Sequence, residues 1–451
     1  MRFNSVLLKV FLTSFLLTIT NMLFAQGETE FVNNRPVLGM QEIRASHVIH
    51  KVPGGLPGKP VFNVDDPLNL FLVVEQDNHH VTLLGGDKFE PLHRFKSRFA
   101  LRGGAVNSTT GRYVYLVSQN GWITKYDIYN LKMVAEIRVG INTRNLAVSA
   151  DGRYVMAANY LPYTLVLLDA QDLSPIKVYD VKNIKGKTSR VSKVYTAPPS
   201  NSFIVALKDL PELWEISYED DPPLGFGMWM HDYRTDSGEN TAPEPFPVRK
   251  IKAKNYLEDF IFDQEYVSVV GISREGRVQV ADTDIGRIIV DDLGLPGVPH
   301  PGGGTSWQYQ GRTISALPNL KQGNISIIDM DTWKTIKRIK TLGPGFSICS
   351  HENAVYAWSD VFTGPNKGAV HVIDKTTLEV VKTLRPVAGK QTAFIQFSRS
   401  GRYVMLGIQD TDGTVIIYNT NTLKEVKRLS MGNPSGEYRV NETRYAGATC
   451  H

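Results

Sequence analysis

The sequence predicts an all-β fold, an eight-bladed β-propeller, and three observations predict it. First, a phrase of strand, acidic or amide residue, short turn and strand recurs. Ile328-Asp329-Met330-Asp331-Thr332, Ile373-Asp374-Lys375-Thr376-Thr377 and Tyr418-Asn419-Thr420-Asn421-Thr422 are its clearest copies. Its key positions lie 45 residues apart at 329, 374 and 419, and 42 apart at 127 and 169. That is the ~40–45-residue period of a four-stranded propeller blade. Second, Gly-Arg-Tyr-Val stands at 111–114, 152–155 and 401–404, each time opening the strand before such a hairpin. Third, the 451 residues include 38 Gly and 24 Pro with 10% aromatics, a turn-rich composition that suits many short strands better than long helices.

Along the chain, Arg2 and Lys9 open an apolar stretch, Val10 to Phe24, which ends at Ala25 before Gln26. A basic start, a short apolar run and a small residue make a signal peptide, so residues 1–25 are expected to be removed and 26–451 to form the propeller. An exported protein follows, periplasmic in a diderm bacterium, with no membrane span once the leader is gone, since the later chain carries no run of ~20 apolar residues. Hairpins are expected near 85, 127, 169, 215, 282, 329, 374 and 419. Eight blades fit best, and seven is the alternative. Asp or Asn with Thr supplies each tight turn, and alternating Val, Ile and Tyr supply the strands. The step from 215 to 282 exceeds the ~40–45-residue period and is assigned to a long loop at about 218–254, with Asp220-Asp221-Pro222-Pro223 and Pro243-Glu244-Pro245 inside it.

The formal net charge is +5, and Arg2 and Lys9 in the leader supply two of those charges. No clustered basic face is evident, so no nucleic-acid partner is expected. Cys349 and Cys450 are the only cysteines, and the sequence leaves their pairing open. There is no Cys-x-x-Cys-His, the usual attachment for a covalent c-type haem.

The informative residues are those the repeat does not explain. His231-Asp232-Tyr233-Arg234 lies in the long insertion, and Leu257-Glu258-Asp259-Phe260 follows it. Gly297-Val298-Pro299-His300-Pro301-Gly302-Gly303-Gly304 presents one imidazole on a backbone other groups can approach closely, which suits a metal or cofactor ligand. Gly343-Pro344-Gly345-Phe346 precedes Ser350-His351-Glu352-Asn353, where a His beside a carboxylate suits acid–base work. Near the end of the chain, Pro434-Ser435-Gly436-Glu437-Tyr438 is placed to project Tyr438 into the central channel. The adjacent His79-His80 pair would face opposite ways on a strand and is not taken as a chelate.

In one order along the chain, these phrases resemble the d1-haem domain family of cytochrome cd1 nitrite reductase. Pro318-Asn319-Leu320, Ile328 to Trp333, Gly343 to Phe346 and Thr422 to Leu429 carry the likeness as well. The maturation branches, which work in d1-haem biosynthesis, are the nearest in look, without the cytochrome c domain that their dehydrogenase members usually carry. The resemblance implies a haem d1, or a d1 precursor, in the central channel. His300 matches the haem-iron ligand position, Tyr438 a pocket tyrosine, and His351 one of two distal histidines of the nitrite reductases. The second distal histidine is replaced by Phe394 and a nearby glutamate by Gln396, so nitrite reduction is not expected, while Phe394 can stack on a macrocycle. Arg144, Arg190 and Arg234 are candidate partners for the macrocycle's carboxylates. His351 and Tyr438 are the catalytic candidates. A separate c-type cytochrome or multihaem protein is the implied electron partner, and a homo-oligomer is not excluded. The competing reading is a cofactor-free propeller scaffold in a multihaem redox complex such as hydrazine synthase.

Overall fold

The computed structural model describes residues 38–52, 54–86, 88–222 and 244–440. The expected leader, Arg234 and Cys450 lie outside the described residues. From Met40 onward the described chain forms eight antiparallel sheets. Seven have four strands. The eighth gains a fifth at its outer edge, Val48–Ile49, paired with Lys132–Arg138.

Each blade runs from an innermost strand outward. The innermost strands of blades 2 to 8 are Leu101–Asn107, Asn142–Val148, Val191–Ala197, Asp259–Phe262, Thr305–Tyr309, Ile348–Cys349 and Gln391–Phe397. Blade 1 is assembled from both ends of the described chain. Leu70–Glu75, His80–Gly85 and Glu90–Lys96 supply three strands, and Pro434–Arg439 pairs with Leu70–Glu75 as the innermost.

The recurring phrase is the turn between the third and fourth strands. Asp329 Oδ1 accepts from the backbone N of Asp331 and Thr332, Asp374 from Thr376 and Thr377, and Asn419 from Asn421 and Thr422. The residue closing each turn takes a left-handed conformation, φ 57° at Trp333 and 56° at Leu378 and Leu423. The Gly-Arg-Tyr-Val phrase is the turn between the first and second strands, where Gly111, Gly152 and Gly401 have φ near 70°, a conformation that disfavours a side chain.

The strands are buried on both faces, so they read as nearly continuous apolar runs. Along Leu70–Glu75, alternate residues serve different interfaces. Leu70, Leu72 and Val74 pack toward blade 2, and Phe71 and Val73 toward blade 8. Similar apolar layers join blades 3 to 4, 4 to 5, 5 to 6, 6 to 7 and 7 to 8. Between blades 2 and 3 the join includes polar stitches, with Tyr115 Oη and Lys125 Nζ both donating to the Ala170 carbonyl at 2.9 and 2.7 Å.

Residues 223–243 of the long loop expected at 218–254 lie outside the described residues, but part of its far end is a strand. Val248–Lys252, placed in the 218–254 loop by sequence, is the outermost strand of blade 4 and pairs with Glu212–Ser217. Truncating the chain after Gly432 removes the innermost strand of blade 1 and uncovers the Leu70–Glu75 edge. Such a chain should lose cooperative thermal unfolding followed by far-UV circular dichroism, whereas a truncation after Arg439 should keep it.

Candidate functional site at one mouth of the channel

Each innermost strand is reached by the same kind of connection, from the outermost strand of the preceding blade. The innermost strands therefore run in one direction around the axis, and their first residues meet at one mouth. Arg144, Lys193 and Asp259 lie at or near the starts of these strands in blades 3, 4 and 5. His300 and Phe346 stand in the connections that lead into those of blades 6 and 7.

His300 is held by its loop. Its backbone N donates to the Pro318 carbonyl at 2.8 Å, and Pro301–Gly303 forms a short 3-10 turn behind it. A Cβ at Gly302 would sit 2.3 Å from Asp259 Oδ2, and one at Gly303 would sit 2.0 Å from the Phe346 carbonyl oxygen. Only glycine allows both approaches.

The His300 ring stacks obliquely on Phe346, centroids 4.5 Å apart. Its Nδ1 lies 2.7 Å from the Phe346 carbonyl oxygen. A carbonyl can only accept, so Nδ1 carries the proton and Nε2 keeps its lone pair. Burial pushes the imidazole below its ordinary pKa, Asp259 and the Phe346 carbonyl oppose this in part, and Lys193 and Arg144 add to it. The ring is therefore neutral at pH 7, with a donor nitrogen available, the form in which histidine binds haem iron. Nε2 lies 3.9 Å from Asp259 Oδ2, which is too long for a hydrogen bond.

Asp259 is itself tied down. Lys193 Nζ reaches its Oδ2 at 3.3 Å, Tyr195 Oη donates to its Oδ1 at 3.5 Å, and the Phe260 backbone N donates to Oδ1 at 2.8 Å. The Lys193 and Asp259 side chains are only 15% and 11% exposed, so the pair is largely desolvated.

Beside this pair, three cations surround one aromatic ring. Arg144, Arg190 and Lys208 lie 5.7, 5.6 and 5.5 Å from the Tyr160 centroid. Arg190 already grips Asp209 through two nitrogens, at 2.8 and 2.6 Å, and Lys208 pairs with Glu258. Arg144 has no carboxylate within ion-pair distance among the described residues. Of the three arginines proposed from sequence, Arg144 thus offers its guanidinium to an incoming anion, Arg190 is committed, and Arg234 is outside the described residues.

Phe394 sits on the innermost strand of blade 8 at a register shift between Ala393 and Ile395, with φ 56°. The left-handed residue marks a β-bulge in this strand. Tyr438 lies on the innermost strand of blade 1 and is 9% exposed. Its ring joins the apolar layer between blades 1 and 2, and its hydroxyl reaches back over Gly436, where a Cβ would meet Oη at 2.1 Å.

The structure does not bring His351 to this mouth. It follows the innermost strand of blade 7 and so sits at the opposite end. Its Nε2 donates to the Arg399 carbonyl at 3.1 Å, and its Nδ1 accepts from the Asn353 backbone N at 3.1 Å. Both nitrogens are spent on joining the turns of blades 7 and 8, which leaves no free site for acid–base work. Conversely, sequence reasoning did not select Lys193, Tyr160 or Phe346 as site residues. Phe346 lay within a phrase already singled out, but Lys193 and Tyr160 stand in ordinary strand positions with no local signal.

Residues 65–443 match the family described as Cytochrome D1 heme domain. A curated relative, the dihydro-heme d1 dehydrogenase of Pseudomonas aeruginosa, is 46% identical over 418 residues, 92% of this chain and 80% of the relative. The Protein NirF of the same organism is 24% identical over 392 residues, 84% of this chain and 93% of that protein. A solved structure, described as dihydro-heme d1 dehydrogenase NirN in complex with DHE, superposes with a TM-score of 0.83 at 45% identity. It covers 90% of this chain and 83% of that one.

Removing one partner of the Lys193–Asp259 pair strands a buried charge. Lys193→Met should lower unfolding free energy by about 3–5 kcal/mol, read by urea denaturation of the apo-protein. The double variant Lys193→Met/Asp259→Asn should recover most of that loss.

Proposed function

Because the chain belongs to the Cytochrome D1 heme domain family, we propose that it binds a d1-type haem, or a dihydro precursor, in this mouth of the channel. We further propose that it acts as a dehydrogenase in the maturation of that haem. The observation that supports this most directly is the His300 tautomer. A neutral, largely buried imidazole is fixed by Nδ1 and leaves Nε2 as a donor beside an uncommitted arginine. These residues suit a haem: an imidazole for iron, a guanidinium for a carboxylate, and the aromatic faces of Phe394 and Tyr160 for a macrocycle.

A bound d1-type haem would supply the iron centre through which electrons pass. The protein's own groups do the remaining work. His300 holds the iron side of the ligand, Arg144 orients a carboxylate by a charge-assisted bond, and Phe394 covers one face. The Lys193–Asp259 pair keeps the wall beneath the ligand fixed before it arrives. Dehydrogenation removes two hydrogens, as two protons and two electrons. We assign electron acceptance to a separate c-type or multihaem cytochrome, and the two protons pass to solvent at the mouth. Phe394 offers no proton to a bound anion, which disfavours nitrite reduction at this site. The basic start and short apolar run at 1–25 support a proposal of export to the periplasm, and no helix among the described residues is long and apolar enough to cross a membrane.

Wild-type protein offered d1 haem should develop a low-spin absorption spectrum, and absence of any spectral change would overturn the haem reading. His300→Ala should lose that spectrum. Arg144→Ala should weaken binding about tenfold, the ~1.4 kcal/mol expected for one charge-assisted hydrogen bond. Phe394→Ala should bind more weakly with ligation intact, and His351→Ala should leave the spectrum unchanged.

A further inference from the structure

We propose that Asp360 is a positioning residue for His300, acting through the peptide group that joins Phe346 to Ser347. This rests on His300 being the iron ligand, and it goes beyond that assignment. The two ends of this single peptide are both engaged. Its oxygen, the Phe346 carbonyl, accepts the His300 Nδ1 proton at 2.7 Å. Its nitrogen, the Ser347 N–H, donates to Asp360 Oδ1 at 2.7 Å. The Phe346 N–H donates to the same oxygen at 2.9 Å, so the carboxylate anchors the turn at two consecutive amides.

The peptide C–N bond has partial double-bond character. An anion at the N–H end therefore pushes electron density onto the carbonyl oxygen at the other, and hydrogen bonds in such a chain strengthen one another. Metal-bound histidines commonly donate their second nitrogen to a carboxylate, which makes them stronger donors. Here a peptide is inserted between carboxylate and imidazole. The negative charge of Asp360 reaches His300 through it, and Nε2 becomes a better electron donor.

The surroundings of Asp360 favour this role over a packing one. It is 1% exposed on the second strand of blade 7, Tyr356–Asp360. Its Oδ2 is buried and has no hydrogen-bond partner. Burial is the chief cause that pushes its carboxyl up to about 7, opposed by the amides of Phe346 and Ser347. A carboxyl left half-satisfied in a core is costly, and its only strong engagement is with the turn that holds His300.

His47 provides an internal control. Its Nε2 also lies 2.7 Å from a backbone carbonyl, that of Asp172. The other end of that peptide, the Leu173 N–H, donates to the neutral Asp169 carbonyl. The donor–acceptor distance is matched, and the group behind the peptide is a neutral carbonyl in place of a carboxylate.

The test uses the full chain labelled with 15N-histidine, as apo-protein at pH 8.5, where Asp360 is ionised. The His300 Nδ1 proton should resonate clearly downfield of the His47 Nε2 proton, and Asp360→Asn should abolish most of that difference. Asparagine keeps the Oδ1 acceptor, so a purely structural brace would leave the shift unchanged, and that result would overturn the proposal. If the variant does not fold, equal shifts for His300 and His47 in wild type overturn it instead. In protein loaded with d1 haem, Asp360→Asn should reduce the preference for ferric over ferrous iron about tenfold, read as a midpoint potential higher by about 59 mV. An unchanged potential also counts against it. Failure of wild type to take up d1 haem would instead remove the haem reading, while the resonance comparison would still decide the relay.

Discussion

The pairing of Pro434–Arg439 with Leu70–Glu75 is the contact on which the rest of the structure depends. A propeller blade cannot bury both of its faces alone. Each takes its cover from two neighbours, so the first and last blades need each other. Here a single strand from the C-terminal side completes blade 1, and both faces of its partner strand are then sealed, toward blade 2 and toward blade 8. The site inherits this closure. Arg144, Lys193, Asp259, His300, Phe346 and Phe394 come from blades 3 to 8, and no two of the six share a blade. Their spacing is set by how many blades fill the ring, and Tyr438 stands on the closing strand itself.

The architecture was legible because turn chemistry leaves few choices. A turn that uses a side-chain oxygen to cap two backbone amides requires Asp or Asn at one position, as at 329, 374 and 419. A left-handed residue between the first two strands favours Gly, as at 111, 152 and 401. These constraints repeat with the blade and appear in the sequence as a period. The 218–254 segment misled because Val248–Lys252 is a partly exposed edge strand. Its sequence, Val-Arg-Lys-Ile-Lys, carries only one fully buried residue, Ile251. An edge strand needs less apolar pattern than an inner one, so it resembles a loop.

The site was legible only where it breaks the repeat. His300 stood out because its Gly/Pro loop is no part of a blade hairpin, and the glycines prove necessary for the close approach of Asp259 and Phe346. His351 stood out for a similar reason, because a His beside Glu in a turn looks like acid–base chemistry. The structure gives both of its nitrogens to neighbouring backbone. Lys193, Tyr160 and Asp360 left no local signal at all. Each occupies a strand position, and its meaning comes from partners on other blades or across a peptide. Lys193 meets Asp259 of the next blade, Tyr160 gathers cations from two blades, and Asp360 meets His300 only through the Phe346–Ser347 peptide. Long-range pairings of this kind have no spacing that a single sequence can display.

The charges at the mouth show how an anionic macrocycle can be received without a net surplus of unsatisfied cations. Arg190 and Lys208 are neutralised by Asp209 and Glu258, and Lys193 by Asp259. Paired in this way they hold Tyr160 and the channel wall in place and contribute dipoles more than net charge. Arg144 differs in lacking such a carboxylate among the described residues. It lies close enough to depress the His300 pKa and to share the Tyr160 ring with the paired cations. Burial, not Arg144, is the chief cause of that depression, so a carboxylate arriving at Arg144 would meet a free cation and leave the imidazole neutral. His300 is thus kept neutral chiefly by burial, with Nδ1 held by the Phe346 carbonyl and Nε2 left without a proton at the mouth.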